Sequence, residues 1–206
     1  MDNKKNQNIV YKIDDIVYLN ITNRCTNTCT FCIRYKTRKL NNKYSLWLSH
    51  EPNEKEVIKE VKKYEPYKEI AFVGYGEPLL KLNLVKNLAG YFKRKGKTVR
   101  IDTNGHANLV YGRDITKELK GLVDIICISL NVENKIKYDK YCQSIFGIKA
   151  YDAIIDFIKR AKISIPKVII TVVGLPGIGI KKCEKIAKKL NVGFRVRPYY
   201  LKEYKY

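Results

Sequence analysis

Short runs rich in valine and isoleucine alternate with longer runs of helical apolar spacing along almost the whole chain. That alternation limits the fold more than any other feature. Continuous apolar character marks strands covered on both faces, and a 3.6-residue period marks helices with one face on a core. Strands are expected at Asp15–Asn20, Glu69–Gly74, Thr98–Asp102, Asp124–Leu130, Lys167–Val173 and Gly193–Arg197. Helices are expected at Glu54–Tyr64, Leu82–Lys95, Ala150–Ala161 and Ile180–Leu190, with a short helical turn at Asp114–Leu119. Pro52 and Asn53 read as a start signal for the first helix, and Gly96 as a stop for the second. Strands joined by right-handed βαβ crossovers close into a barrel of eight or curl into a partial barrel of six. The 206 residues suit six. The expected fold is α/β, a partial (β/α)6 barrel of parallel strands forming a single domain over residues 1–206, with its chemistry at the carboxyl ends of the strands.

Hydrophobic residues make up 45% and charged residues 30%, which excludes a disordered chain. No apolar run approaches the roughly 18 residues of a membrane helix, so no membrane partner is expected. The opening MDNKKNQN lacks the apolar stretch of a secretory signal, and a cytoplasmic location follows as the expectation. The net charge is 41 − 20 = +21. A field of that size attracts nucleic acid or anionic substrates, although lysines also simply solvate a surface. Tight basic runs occur at Arg34, Lys36, Arg38 and Lys39 and again at Lys93, Arg94, Lys95 and Lys97.

Three of the six cysteines fall within eight residues directly after the first expected strand, as Cys25, Cys29 and Cys32. In a reducing compartment a tight cluster reads as a metal or redox site rather than a set of bridges. Three thiolates on one loop can hold three irons of a cubane and leave the fourth open to a substrate, whereas electron-transfer clusters use four cysteines. A zinc site completed by His50 or His106 is the rival reading, although zinc loops usually show paired C-x2-C halves and no second pair exists. Cys142 and Cys183 read as small core residues, with a substrate-facing thiol as the other reading of Cys142.

The second strand runs into Gly74-Tyr75-Gly76-Glu77-Pro78, about forty-five residues after the cysteines. Its glycines permit close backbone approach and positive φ, and a carboxylate at a strand end accepts hydrogen bonds from an ammonium group. The fourth strand alternates Cys127, Ser129 and Asn131 against Ile126, Ile128 and Leu130, and the polar set is expected to face the barrel interior. Asp102-Thr-Asn-Gly105 ends the third strand and reads equally as an Asn-Gly turn. Arg195 and Arg197 share one face of the last strand, where one can hold a carboxylate or phosphate.

The C-x3-C-x-aromatic-C loop after the first strand resembles the signature of the radical S-adenosylmethionine (radical SAM) superfamily. The resemblance implies a [4Fe-4S] cluster on Cys25, Cys29 and Cys32, with Phe31 near the adenine of SAM. It implies that Gly76, Glu77 and Pro78 form the turn that binds the SAM amino group, with Tyr75 standing where the family has glycine. Thr103 and Asn104 then lie near SAM or substrate, Ser129 and Asn131 match ribose and carboxylate contacts, the backbone of Gly174–Gly177 edges the adenine, and Arg197 joins the cofactor site. Leu46-Trp-Leu48, Ala107-Asn-Leu109, Gly112-Arg-Asp114 and Phe194-Arg-Val-Arg197-Pro198 further resemble the TatD-associated subgroup. The implied activity is reductive cleavage of SAM to methionine and a 5′-deoxyadenosyl radical that takes hydrogen from a small-molecule or nucleotide substrate. An external electron donor of the flavodoxin or ferredoxin type is the implied partner. The basic charge makes RNA a further candidate, and a non-catalytic iron–sulfur protein is the alternative from another class.

Overall fold

The structure is a computed structural model and describes residues 7–37 and 39–199. Arg38, from the first basic run, lies outside the described residues. Among the described residues seven strands form one sheet in the order of the sequence: β1 (Val10–Ile13), β2 (Ile16–Leu19), β3 (Glu69–Phe72), β4 (Thr98–Thr103), β5 (Ile125–Ser129), β6 (Lys167–Val173) and β7 (Gly193–Arg197). β1 and β2 pair antiparallel, and every later pair is parallel. The sheet is open between β1 and β7, a partial barrel.

The connecting helices are α1 (Glu54–Val61), α2 (Leu82–Arg94), α3 (Ala107–Tyr111), α4 (Lys135–Cys142), α5 (Lys149–Ser164) and α6 (Ile180–Leu190). Their ends follow local chemistry. Asn53 caps α1 in a full capping box, accepting from the Glu56 N–H at 3.0 Å while Glu56 accepts from the Asn53 N–H at 2.9 Å. α2 stops where Gly96 takes φ +70°, with Gly96 N–H donating to Lys93 O and Lys97 N–H to Phe92 O.

Several elements differ from the sequence expectation, the five-residue helix α3 among them, which no expected helix covers. β1 adds a seventh strand, an edge hairpin turned at Asp14, whose φ is 52°. Its four residues are too short to stand out beside the longer apolar runs. The turn expected at Asp114–Leu119 is shorter, a 3-10 turn over Thr116–Leu119, because Asp114 Oδ1 accepts from both Thr116 N–H and Thr116 Oγ1. α4 was not expected at all: it is polar on most sides and buries only Tyr138 and Cys142.

The two sheet faces have opposite character. Val17, Phe72, Ile101, Ile126, Ile128 and Val172 are buried on the convex face among the helices. The concave face carries Tyr18, Arg100, Asp102, Cys127, Ser129 and Arg195, which the strand pairings put on one side of the sheet. Arg100 is buried there, paired with Glu69 at 2.6 Å and Asp102 at 2.8 Å and lying 5.6 Å from the Tyr18 ring centre. Its donors are satisfied, as a buried guanidinium requires. Truncating the convex face removes dispersion and apolar burial without touching the concave one. Phe72→Ala is expected to lower unfolding stability by about 3–5 kcal/mol in chemical denaturation.

Candidate functional site

The chain leaving β2 carries the cysteines on a loop that Arg34 ties together. Arg34 is buried and donates to the carbonyl oxygens of Asn23 at 3.0 Å, Asn27 at 3.3 Å and Tyr75 at 3.3 Å. It therefore serves the loop's shape and is not part of a surface field for nucleic acid or anionic substrates. Glu51 holds the same loop from outside, accepting from Thr22 Oγ1, from Arg24 Nε at 3.1 Å and from Lys81 Nζ at 2.6 Å.

The turn after β3 lies against this loop backbone to backbone. Glu77 N–H donates to Arg24 O at 2.7 Å. A Cβ on Gly76 would sit 2.3 Å from Thr22 O and 2.6 Å from Arg24 O, and one on Gly74 would sit 2.1 Å from Asn20 Oδ1. The glycines thus serve close approach. Neither has the positive φ that the sequence also allowed.

Glu77 is buried and accepts from Asn104 N–H at 2.7 Å, Thr103 Oγ1 at 2.7 Å and Leu79 N–H at 3.1 Å. All three donors are neutral. Burial pushes its carboxyl up to about 7, with the hydrogen bonds pulling the other way. Such a group is ready to receive a cation. Pro78 does not line the cavity; it opens the 3-10 turn Pro78–Lys81, where a missing N–H costs nothing.

Cys25, Cys29 and Cys32 are free thiols, each half-buried, and all three line one cavity of about 300 Å³. Phe31, Gly76, Glu77, Asn104, Ser129, Asn131 and Arg197 line it too. Burial pushes the Cys25 thiol up to about 12, and it raises Cys32 as well. Cys29 is raised by a hydrogen bond with Cys142 and then by burial. Metal ions would therefore have to displace protons to bind here.

The donor set bears on which metal group fits. His50 is occupied at the surface with Gln7 at 3.0 Å and Glu56 at 3.1 Å. His106 Nδ1 meets Thr26 Oγ1 at 3.0 Å, and its Nε2 meets Tyr138 OH at 3.2 Å. Among the described residues, no three His, Cys, Asp or Glu side chains converge to hold a single metal ion. A zinc site of the kind weighed from the sequence needs that convergence; a cubane whose thiolates bind different irons does not.

Asn104 links these parts. Its Nδ2 donates to Thr26 Oγ1 at 2.8 Å and reaches Cys25 Sγ at 3.7 Å, and its Oδ1 accepts from His106 N–H at 3.0 Å. The Asn-Gly turn and the site are thus one structure, with Gly105 at φ +80°. On the opposite wall Arg197 donates to Ser129 Oγ at 3.2 Å and Asn131 Oδ1 at 3.1 Å, while its Nε is buried without a partner. Arg195 turns instead to Cys127 Sγ at 3.5 Å and Asp102 at 3.8 Å. Val173, the last residue of β6, lines the cavity, and Gly174–Gly177 after it do not. Arg34, His106 and Tyr138 were missed as supports of the loop, because no local pattern marks a side chain that acts across 80 or more residues or folds back on its own loop.

Fold and site together define an open parallel barrel with a three-cysteine cavity at the carboxyl ends of its strands. A model of the Radical SAM superfamily matches residues 19–190, and the chain belongs to that superfamily. The family uses a [4Fe-4S] cluster and S-adenosylmethionine. An uncharacterized protein of Methanocaldococcus jannaschii is 27% identical over 175 residues, which are 84% of this chain and 52% of that protein, so the chain spans about half its length. Among solved structures, SuiB of Streptococcus suis bound to its precursor peptide SuiA aligns with a TM-score of 0.65 at 15% identity, over 92% of this chain and 40% of that one. A radical SAM methyltransferase from Sphaerobacter thermophilus aligns at 0.58 and 12% identity, over 92% of this chain and 68% of that one. The hydrogenase maturase HydG of Carboxydothermus hydrogenoformans aligns at 0.58 and 17% identity, over 89% and 44%. These likenesses are of fold. Among the described residues no helix is long and apolar enough to cross a membrane.

Two outcomes follow from this geometry. Gly76→Ala pushes a methyl group into two carbonyl oxygens, and thermal or chemical unfolding is expected to show a loss of about 1–3 kcal/mol. His106 is held neutral, its pKa lowered by burial to about 4 against 6.5 when unfolded. The unfolded state then binds the extra proton, so this contribution is complete above pH 6.5 and declines as pH falls toward 4. Between pH 7 and pH 5 it should cost about 2 kcal/mol of unfolding free energy. A His106→Gln variant should lose that part of the slope.

Proposed function

We propose that this chain is an enzyme that cleaves S-adenosylmethionine reductively on a cluster held by Cys25, Cys29 and Cys32, and acts through the resulting radical on a small-molecule or nucleotide substrate. One observation carries the reading. Three cysteines, an acid supported only by neutral donors, and a Ser–Asn–Arg wall meet on one cavity, although they come from β2, β3, β5 and β7.

When bound, the cluster supplies the electron that breaks the sulfonium carbon–sulfur bond. The chain's own residues bind, orient and shield. Glu77 faces the cavity with its charge uncompensated by a cation among its hydrogen-bond partners, which suits an α-amino group. The unpartnered Nε of Arg197, beside Ser129 and Asn131, suits a carboxylate or the hydroxyl groups of a ribose. Phe31 and Tyr11 offer aromatic surface to an adenine or to a substrate. A cavity of about 300 Å³ favours a small molecule or one nucleotide unit over a folded polypeptide. The electron has to come from outside, and a flavodoxin- or ferredoxin-type carrier is the proposed donor.

A second reading, action on RNA, rests on the +21 charge. Tight, salt-sensitive retention of transfer RNA on a filter supports it, and no retention at low salt rejects it.

The test of the main reading is anaerobic reconstitution followed by incubation with SAM and dithionite. Four irons per chain and accumulating 5′-deoxyadenosine are expected. Cys29→Ala should lose both the cluster absorbance and the cleavage. Glu77→Gln should keep the irons and bind SAM roughly 10-fold or more weakly, as expected for removing a charge-assisted contact of about 1.5–3 kcal/mol. Four irons without any 5′-deoxyadenosine would reject the enzyme reading.

A further inference from the structure

Cys142 has no role in the function above, yet the chain places it opposite one of the three clustered cysteines. The loop from Thr26 to Thr30 runs antiparallel to Tyr141–Ile145, at the end of α4. Asn27 bridges Ser144, Thr28 N–H donates to Gln143 O at 3.2 Å, Thr30 N–H to Tyr141 O at 2.9 Å, and Ile145 N–H to Thr26 O at 2.9 Å. That register sets Cys29 against Cys142, between two hydrogen-bonded rungs. Cys142 is the last residue of α4, so its side chain leaves from a helix end rather than from a strand. Cys29 packs against the core cluster that holds Cys142.

A second contact leads from Cys142 to the cavity wall. Asn131 Nδ2 points at Cys142 Sγ at 3.8 Å, and its Oδ1 accepts from Arg197 at 3.1 Å. Asn131 itself sits at φ 61°, two residues beyond the end of β5. A connected path therefore runs Arg197–Asn131–Cys142–Cys29. Cys183 offers the contrast: it is just as buried, in α6, and has no such path. A thiol that only fills space needs no polar partner on either side.

We infer that Cys142 is a positioning residue for the cluster, whose S–H donates a hydrogen bond to the Cys29 sulfur and is held in that orientation by the Asn131–Arg197 pair. The inference rests on the function proposed above. A Cys29 thiolate bound to iron has no proton to give, so a hydrogen bond between the two sulfurs has the Cys142 S–H as its donor. A hydrogen bond to a ligand sulfur draws charge off the cluster and stabilises its reduced form. A molecule touching Arg197 or Asn131 in the cavity then acts on Cys29 through the same path, so occupancy and reducibility are linked.

The test is a redox titration of the reconstituted full chain, followed by electron paramagnetic resonance, with and without SAM. Cys142→Ala is expected to move the midpoint to more negative potential and to shrink the shift that SAM causes. Cys142→Ser keeps a donor and should titrate above the alanine variant. Cys142→Val fills the volume without a donor and gives the alanine result should the alanine cavity unfold the chain. Cys183→Ala should titrate with the wild type. The inference is overturned if the donor-free variants titrate with the wild type, or if Cys183→Ala shifts as far as they do. In either case the iron content and 5′-deoxyadenosine production of the wild type leave the function above standing. A wild-type chain that loads no four-iron cluster overturns both.

Discussion

Two stretches of backbone, Thr22–Arg24 and Gly76–Glu77, lie directly against each other, and the site is organised around that contact. Gly76 rests on the carbonyls of Thr22 and Arg24, and the Glu77 N–H closes the seam at 2.7 Å. The seam sets the distance between the first cysteine and the buried acid. It also lets Arg34 reach carbonyls on both sides of it. Side chains larger than hydrogen would hold the two strand ends apart, and the cysteines and Glu77 would no longer share one cavity.

Polar groups buried around the seam are satisfied mostly by one another. Asn104 serves Glu77, Thr26, Cys25 and His106, and His106 in turn meets Tyr138, which accepts from Asn27. Such a network fixes a loop that carries little apolar weight of its own. The unmet groups are informative for the same reason. Glu77 lacks a cation among its hydrogen-bond partners and Arg197 lacks an acceptor at Nε, and both open on the cavity. Two buried atoms of the cysteine loop itself, Asn27 Oδ1 and Arg34 Nε, lack partners as well, so unmet groups are not confined to those that face a ligand.

The comparison between sequence and structure divides by the range of the signal. β6, β7 and α6 fall where their apolar patterns end, because strand and helix periods are local properties. The cysteine spacing and the Gly-Glu-Pro turn were equally local and equally readable. α4 escaped notice because its short, polar pattern is not amphipathic, and its burial depends on where Tyr138 and Cys142 land. Arg34 looked like one more surface charge until the loop folded around it.

The sequence by itself determined the alternation of strand and helix, the three thiols on one loop and the carboxylate after the next strand, since each is written within a few neighbouring residues. Tertiary structure alone decided which distant groups share the cavity. It set Arg197 beside Ser129 and Asn131, His106 behind Thr26, and Cys142 across from Cys29. Those pairings depend on sheet register and crossover handedness, which sum contributions from the whole chain and leave no mark at any single position.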